Sequence, residues 1–304
     1  MMRINLHLLR IFFTVAERKS FSRAAEALFI SQPAVSKGVR ELEHQLELPL
    51  FERGGAGARG VRLTADGAAL FDHARGIFAL ERAATEDLRA RVGVKRGRLS
   101  VAASTTIAGY WLAPYAAEFF REFPSIELRI GVGNTQMACQ GVIECEFDLA
   151  LVEGAVDDPR IVATHWRDDR LRIVAHPDAA LARRRKPTLQ EVTDQVWLLR
   201  EPGSGTRDAT ERMMRDHGIS PKRNIEFGSN EGIARAVACG LGIAMLPAHV
   251  LRDLIALEQV RSVNYPSDLP LVRRLFLLRL KERPSSPAVR AFCDVLQRRL
   301  EEPR

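Results

Sequence analysis

The chain has 304 residues, 27% of them charged and 46% hydrophobic, a composition that predicts a globular protein of two or three domains. No apolar run approaches the roughly 18 residues of a membrane span. The first residues lack the apolar core and cleavage site of a signal peptide, so we expect a cytoplasmic protein. The four scattered cysteines form no CxxC pair and no Cys/His cluster, so no metal or other cofactor is expected.

Most of the net charge of +7 lies in the first third of the chain. Residues 1–98 carry 17 Lys and Arg against 11 Asp and Glu, whereas the other 206 residues carry 28 against 27. This imbalance favours a polyanionic partner, most simply nucleic acid. A basic surface that only aids solubility is the alternative at this point.

Three short helices are predicted before residue 48. The first has an apolar face over residues 8–15 and ends near Lys19. Ser22 is expected to cap the second, and Ser31 the third, with Pro33 in its first turn. In the third helix one face is apolar, consisting of Ala34, Val35, Val39, Leu42 and Leu46. The polar side chains lie on another face, namely Gln32, Ser36, Lys37 and Arg40.

A wing and a long helix follow. Two short apolar-bearing arms, 50–53 and 61–63, flank a glycine-rich turn over residues 54–60. Thr64 is the expected N-cap of a helix that runs to about Val92. Its apolar residues recur every three or four positions, with Glu81 interrupting, at Leu70, Ala74, Ile77, Ala84 and Leu88. This spacing favours pairing with a second chain over packing on the helix's own domain.

After a polar hinge at residues 93–97, short apolar strands alternate with helices. This pattern predicts a parallel, doubly wound α/β assembly, and 206 residues suffice for two lobes. The expected strands are 99–101, 126–132, 147–152, 171–174, 196–199 and 243–246. The last helix is expected to begin at Ser286 and Pro287.

Polar clusters follow three of these strands, where ligands bind in open α/β sheets. They comprise Ser104, Thr105 and Thr106; Asn134 and Thr135; and Gly203, Ser204, Gly205, Thr206 and Arg207. Hydroxyls and free amides at helix N-termini suit anions, so we expect a small anion between the lobes. The alternatives are that the hydroxyls are plain helix caps and that Arg207 bridges to an acidic neighbour.

The ordered N-terminal motifs resemble the LysR-type transcriptional regulators. They are FSRAAEAL at 21–28, SQPAVSK at 31–37, LFER at 50–53 and LTADG at 63–67. The resemblance covers the whole chain and implies three parts: a winged helix-turn-helix (1–63), a linker helix (64–92) and an effector domain like a periplasmic binding protein (98–304). Lobe I would comprise 98–164 and 270–304, and lobe II 165–269. The family usually has Gly where this chain has Glu47; a left-handed backbone there costs a side chain about 1 kcal/mol.

The resemblance also implies partners and contacts. The partners are promoter DNA, a second copy in a homodimer or homotetramer, and RNA polymerase. A recognition helix presents its N-terminal residues to base edges, and a wing reaches phosphates or the minor groove. The expected DNA contacts are Ser31, Gln32, Pro33, Ser36, Lys37, Arg40, Arg53, Arg59 and Arg62.

The stretch from Arg200 to Arg207, with GNT at 133–135 and LVEG at 151–154, resembles the branch of sulfur-assimilation and sulfite-response regulators. The resemblance adds Glu153 to the effector residues and implies a small oxyanion such as sulfite. A neighbouring branch, which controls carbon-fixation genes, shares the glycine-rich part and implies a phosphorylated metabolite instead.

Three other classes of protein fit the sequence less well. An enzyme with Ser204 as nucleophile lacks the GxSxG spacing and a His or Asp tied to it. A transport-type binding protein requires a signal peptide. A purely architectural DNA-binding protein needs no two-lobed cleft. A change in DNA binding on adding a ligand, without turnover of that ligand, distinguishes a regulator from all three.

Overall fold

A computed structural model describes residues 3–52, 61–91, 97–154, 156–265 and 271–301, without the side chains of 86, 87, 89–91 and 299–301. The chain divides into two compact units, Met1–Thr85 and Glu86–Arg304. No helix in the described ranges combines the length and apolar composition of a membrane span.

The first unit is built on four helices: α1 (Leu6–Arg18), α2 (Phe21–Leu28), α3 (Gln32–Leu46) and α4 (Ala65–Arg91), the last of which continues past Thr85. The side chain of Ser20, not Ser22, caps α2 by accepting from the Arg23 amide. Ser31 caps α3 as expected. The backbone of Glu47 is left-handed, with φ of 56°, at the C-terminus of α3.

The two arms of the expected wing pair as antiparallel strands. Phe51 bridges Leu63, and the Glu52 amide donates to the Arg62 carbonyl at 2.9 Å. Thr64 then caps α4, because its Oγ1 accepts from the Gly67 amide at 2.9 Å.

The apolar residues of α4 serve two purposes. Ala74 and Phe78 are buried against α1, and Leu70 packs on the same cluster. Four apolar residues further along remain exposed on one face of the helix: Ile77, Leu80, Ala84 and Leu88. The expected seam is therefore wrong at its N-terminal end, where Leu70 and Ala74 stabilise their own domain. It also omitted Leu80.

The described part of the second unit contains nine strands. They are β1 (Gly97–Ser104), β2 (Ile126–Gly133), β3 (Leu149–Glu153), β4 (Ile161–Ala175), β5 (Val196–Arg200), β6 (Arg223–Phe227), β7 (Ala244–Pro247), β8 (Arg261–Ser262) and β9 (Val272–Leu280). The helices of the same described ranges are α5 (Thr105–Tyr110), α6 (Leu112–Glu122), α7 (Thr135–Ile143), α8 (Ala180–Arg183), α9 (Leu189–Thr193), α10 (Gly205–His217), α11 (Asn230–Ala238), α12 (Ala248–Ala256) and α13 (Pro287–Glu301).

The strands form two lobes. Strand order is β2-β1-β3-β9-β4-β7, with β8 beside β4, while β5 pairs with β6. Lobe I contains β1–β3 and the paired ends of β4 and β9 (161–167 and 275–280); lobe II contains the rest of β4 and β5–β8. The expectation of a parallel assembly holds for the pairs β1–β2, β1–β3 and β5–β6, but β9 runs antiparallel to β3, and β4 runs antiparallel to β7 and β8. Strands β4 and β9 connect the lobes and run antiparallel to each other, because one carries the chain out of lobe I and the other brings it back.

Helices pack on both faces of the sheet in each lobe, and the central strands β1 and β3 of lobe I are largely buried. In lobe I, Leu99 and Val101 face a core completed by α5, α6 and α13, while Ala102 faces α7. Lobe II likewise has two cores, one around Trp197 and one around Leu246. Two covered sheets leave the strand ends between the lobes as the place where polar residues gather.

Candidate functional site

Helix α3 presents an exposed polar surface at its N-terminus. Ser31, Gln32, Pro33, Lys37 and Arg40 are exposed, and Ser36 is half-buried. The side-chain Nε2 of Gln32 donates to Ser36 Oγ at 3.0 Å, so both side chains are held on the outer side of the helix. The opposite face is fixed in the domain core by Val35, Val39 and Leu42. This surface has the shape and the donors required to enter a major groove.

The wing contributes one described arginine. Arg62 is largely exposed and lies 3.9 Å from the Glu52 carboxylate. Arg53 and Arg59, the other two predicted wing contacts, lie outside the described residues.

In the second unit, three of the four helices that begin near the ends of β1, β2, β5 and β6 have a side-chain cap. Ser104 Oγ accepts from the Ile107 amide, and Asn134 Oδ1 accepts from the Met137 amide. Ser229 caps α11 in the same way. Ser204, at the start of α10, makes no such bond although it is buried. The first amides of α10 therefore have no side-chain acceptor among the described residues.

Asn230, the first residue of α11, joins the two lobes. Its Nδ2 donates to Thr106 Oγ1 of lobe I at 2.8 Å and to Thr206 Oγ1 of lobe II at 3.4 Å. All three side chains are buried. Because each hydroxyl oxygen accepts here, its own proton is left to donate elsewhere.

A buried charged cluster supports Thr206. Arg273 on β9 donates to Thr206 Oγ1 at 2.8 Å and forms an ion pair with Asp169 on β4 at 2.8 Å. The Glu153 carboxylate lies 3.4 Å from the same guanidinium and accepts from the Thr135 hydroxyl at 3.3 Å. Burial raises the pKa of Asp169, while the charge of Arg273 opposes that rise. Glu153 thus holds Thr135 and Arg273 and adds negative charge to the site.

A second set of contacts crosses between the lobes nearby. Arg200 is buried, pairs with Glu201 at 2.8 Å and donates to Thr105 Oγ1 at 3.4 Å. Asn134 Nδ2 donates to Glu201 Oε1 at 3.3 Å. Desolvation alone would raise the pKa of Glu201. The hydrogen bonds from Arg200 and Asn134 oppose it, and the pKa lies below its usual range.

The glycine-rich turn between β5 and α10 approaches lobe I closely. Gly203, with φ of +81°, accepts at its carbonyl from the Gln136 amide at 3.1 Å. A Cβ at Gly205 would lie 2.4 Å from the Glu153 carbonyl oxygen. Only glycine permits this approach, so the two helix starts lie side by side.

The described structure brings together nearly all of the predicted effector residues. Arg207 is the exception, since its guanidinium is held by Glu211, Glu226 and the Arg200 carbonyl. Arg207 therefore bridges to acidic neighbours, which was the alternative prediction for this residue. Four residues that the sequence reasoning missed join the site: Asp169, Arg200, Asn230 and Arg273. One signal was available, namely the pair Arg273-Arg274 within the otherwise apolar stretch 271–278.

The described residues contain no group of His, Cys, Asp or Glu arranged to hold a metal ion. What the site offers instead is hydroxyls, amides and a fixed ion pair between two lobes. Together with a winged helix-turn-helix, such a site defines a class of protein: a DNA-binding regulator with a ligand-sensing domain.

The comparisons identify the family. The model "LysR substrate binding domain" matches residues 93–301, and "Bacterial regulatory helix-turn-helix protein, lysR family" matches residues 6–68. The chain belongs to the LysR family of DNA-binding transcriptional regulators with an effector-binding domain. This membership also answers the enzyme alternative, because the family's members are regulators.

Named relatives cover nearly the whole chain. A "RuBisCO operon transcriptional regulator" of Allochromatium vinosum is 34% identical over 96% of this chain and 95% of its own length. CysL of Bacillus subtilis is 31% identical over 88% of each chain. The regulatory domain of Synechocystis CcmR, solved in complex with 2-PG, is 27% identical and covers 68% of this chain and 99% of its own, with a TM-score of 0.62.

Proposed function

We propose that a small anion bound between the lobes controls how this regulator binds promoter DNA. The observation that carries the proposal is the meeting of Thr106 and Thr206 at Asn230, beside a helix start that lacks a side-chain cap. Two hydroxyl protons and the first amides of α10 are the donors that an oxyanion needs.

The effector shifts the protein between two arrangements of the lobes. A ligand that bridges lobe I and lobe II favours the arrangement in which both sets of donors reach it, by the difference in its affinity for the two. The linker helix α4 would carry this bias to the DNA-binding units of a homodimer or homotetramer. Contact with RNA polymerase belongs to the same proposal.

Two effector classes are in question. The resemblance of residues 200–207 to the sulfur branch favours an oxyanion such as sulfite. The relatives named as RuBisCO operon regulators and the 2-PG complex favour the carbon-fixation type, with a phosphorylated metabolite. Thermal-shift screening of the full-length protein with sulfite, sulfate, thiosulfate, phosphate, 2-PG, sugar phosphates and carboxylates separates the two classes.

We expect the double variant Thr106→Val, Thr206→Val to keep basal DNA binding and lose its response to the effector found in that screen. Valine preserves the shape of threonine but removes both donors. Thr210→Val is the matched control, because Thr210 is an equally buried threonine of α10 whose hydroxyl bonds the Thr206 carbonyl. An unchanged effector affinity in the double variant would place the site elsewhere.

On the DNA side, Gln32→Ala and Lys37→Ala should each weaken specific binding, by about 1–3 kcal/mol where a bidentate base contact is lost. Both side chains are exposed, so the stability of the fold should hardly change. Fluorescence anisotropy at fixed salt, with a fragment selected from random DNA by the wild-type protein, measures the effect. Arg18→Ala, at an exposed position of α1, is the control for loss of a charge. Wild-type affinity in both α3 variants would exclude them from the interface.

A further inference from the structure

Asn230 is fully buried, yet only the nitrogen of its side-chain amide makes hydrogen bonds in the described structure. Nδ2 donates to the two threonine hydroxyls, whereas Oδ1 has no hydrogen-bond partner in the described structure. A buried acceptor left unpaired loses its hydration without gaining a hydrogen bond, which is costly. Such groups are few in native proteins, and each needs an explanation.

The position of Asn230 suggests the missing partner. It begins α11 just beyond the end of β6 and contacts threonines that follow β1 and β5. Its free oxygen therefore belongs to the strand-end site proposed above for the effector. A group that donates a hydrogen bond there would complete the amide while contacting both lobes.

The fixed charges next to Asn230 restrict the ligand further. Among the described residues, Arg273 is the cation that bonds Thr206, and it faces two buried carboxylates, Asp169 and Glu153. The nearby Arg200 is paired with Glu201. The site thus supplies hydrogen-bond donors without excess positive charge. A multiply charged anion would lose its hydration without gaining a cation, which is costly in a buried site.

We propose that the carbonyl oxygen of Asn230 accepts a hydrogen bond from the effector, so that the site selects a monoanion carrying its own O–H donor. Protonated oxyanions and small hydroxy acids are the chemical classes that meet this requirement. The anion's oxygens accept from Thr106 and Thr206, while its hydroxyl donates to Asn230. The inference rests on the proposed function, since it specifies the ligand of that same site.

The inference is tested with pairs of small anions in which one member carries an O–H donor and the other does not. Isothermal titration calorimetry of the full-length protein compares glycolate with acetate, and lactate with propionate, all four of which are monoanions at neutral pH. In each pair the first member carries an O–H group at neutral pH and the second does not. We expect the donor-bearing member to bind about tenfold more tightly or better, because the other leaves the Asn230 oxygen unpaired.

Variants assign the preference to Asn230. Asn230→Leu removes both halves of the amide at similar size and should bring the two members of each pair to similar affinity. Asn230→Ala tests the same point if leucine disturbs the fold. Asn264→Leu is the control, because Asn264 is an exposed lobe II asparagine whose side chain bonds only the Arg185 carbonyl in the described structure. It should keep the wild-type preference.

The outcomes separate the two proposals. Equal affinity within the pairs for the wild-type protein, as expected if a buried water satisfies Asn230, overturns this inference and leaves the anion effector standing. A preference that survives in Asn230→Leu and Asn230→Ala overturns it as well. Binding of none of the four probes, together with no hit in the thermal-shift screen, overturns the anion effector and this inference with it.

Discussion

Replacing Arg273 with methionine should lower the free energy of unfolding by about 3–5 kcal/mol at pH 7, the usual cost of removing one partner from a buried ion pair. The guanidinium is 4% exposed, and its loss leaves the carboxylates of Asp169 and Glu153, at 0% and 3% exposure, without a cation. Arg274→Met, at the exposed neighbouring position of β9, is the matched control and should change stability little.

Urea denaturation followed by tryptophan fluorescence measures this effect, because all three tryptophans lie in the second unit. The loss of unfolding free energy in Arg273→Met should also depend on pH. Burial raises the pKa of Asp169, and loss of the Arg273 charge raises it further. Below the ordinary carboxyl pKa of about 4, Asp169 is protonated folded and unfolded alike. As the pH rises from there through the raised pKa of Asp169 in the folded variant, the variant loses stability. A deficit as small as that of Arg274→Met, or one that grows as the pH falls, would contradict the prediction.

The second large effect concerns assembly. Leu80→Glu should convert the proposed dimer to monomers, because it places a charge in the exposed apolar face of α4 formed by Ile77, Leu80, Ala84 and Leu88. Light scattering coupled to size exclusion measures the mass. Specific DNA affinity should fall about 100-fold or more, since the two half-sites are no longer bound by one linked pair.

The control for this prediction is Arg82→Glu, an exposed position on another side of α4. It changes the charge by more than Leu80→Glu does but leaves the apolar face intact, so it should remain dimeric. Leu70 is not a suitable test site. It packs on the core of its own domain, and a charge there would destabilise that domain whether or not the chain pairs. A monomeric wild-type protein at micromolar concentration would exclude the proposed assembly.

The DNA-binding unit was largely predictable from the sequence because its determinants are local. A capping serine, a proline in the first turn and an apolar stripe of period 3.6 specify α3 within about fifteen residues. The error at α2 was not local. Ser20 and Ser22 are both plausible caps along the chain, and packing of Phe21 and Ala24 against the other helices selects the first.

The effector domain was predictable in kind but not in topology. Apolar stretches indicated strands, yet β6 and β9 were missed, since Arg223, Glu226, Arg273 and Arg274 interrupt their apolar pattern. In β9 the residue that interrupts the apolar pattern, Arg273, is also the one that bonds Thr206 in the site. Arg273 is buried only because Asp169, 104 residues away, is brought beside it.

By itself the sequence therefore determined the family, the order of the parts, the exposed polar surface of α3 and the polar ends of three strands, all of which depend on neighbours along the chain. Only the tertiary structure decided which of those polar groups meet. Thr106 and Asn230 are 124 residues apart, and no periodicity in the sequence connects them. They come together because β4 and β9 join two separately folded lobes, so the contact is set by how the sheets pack.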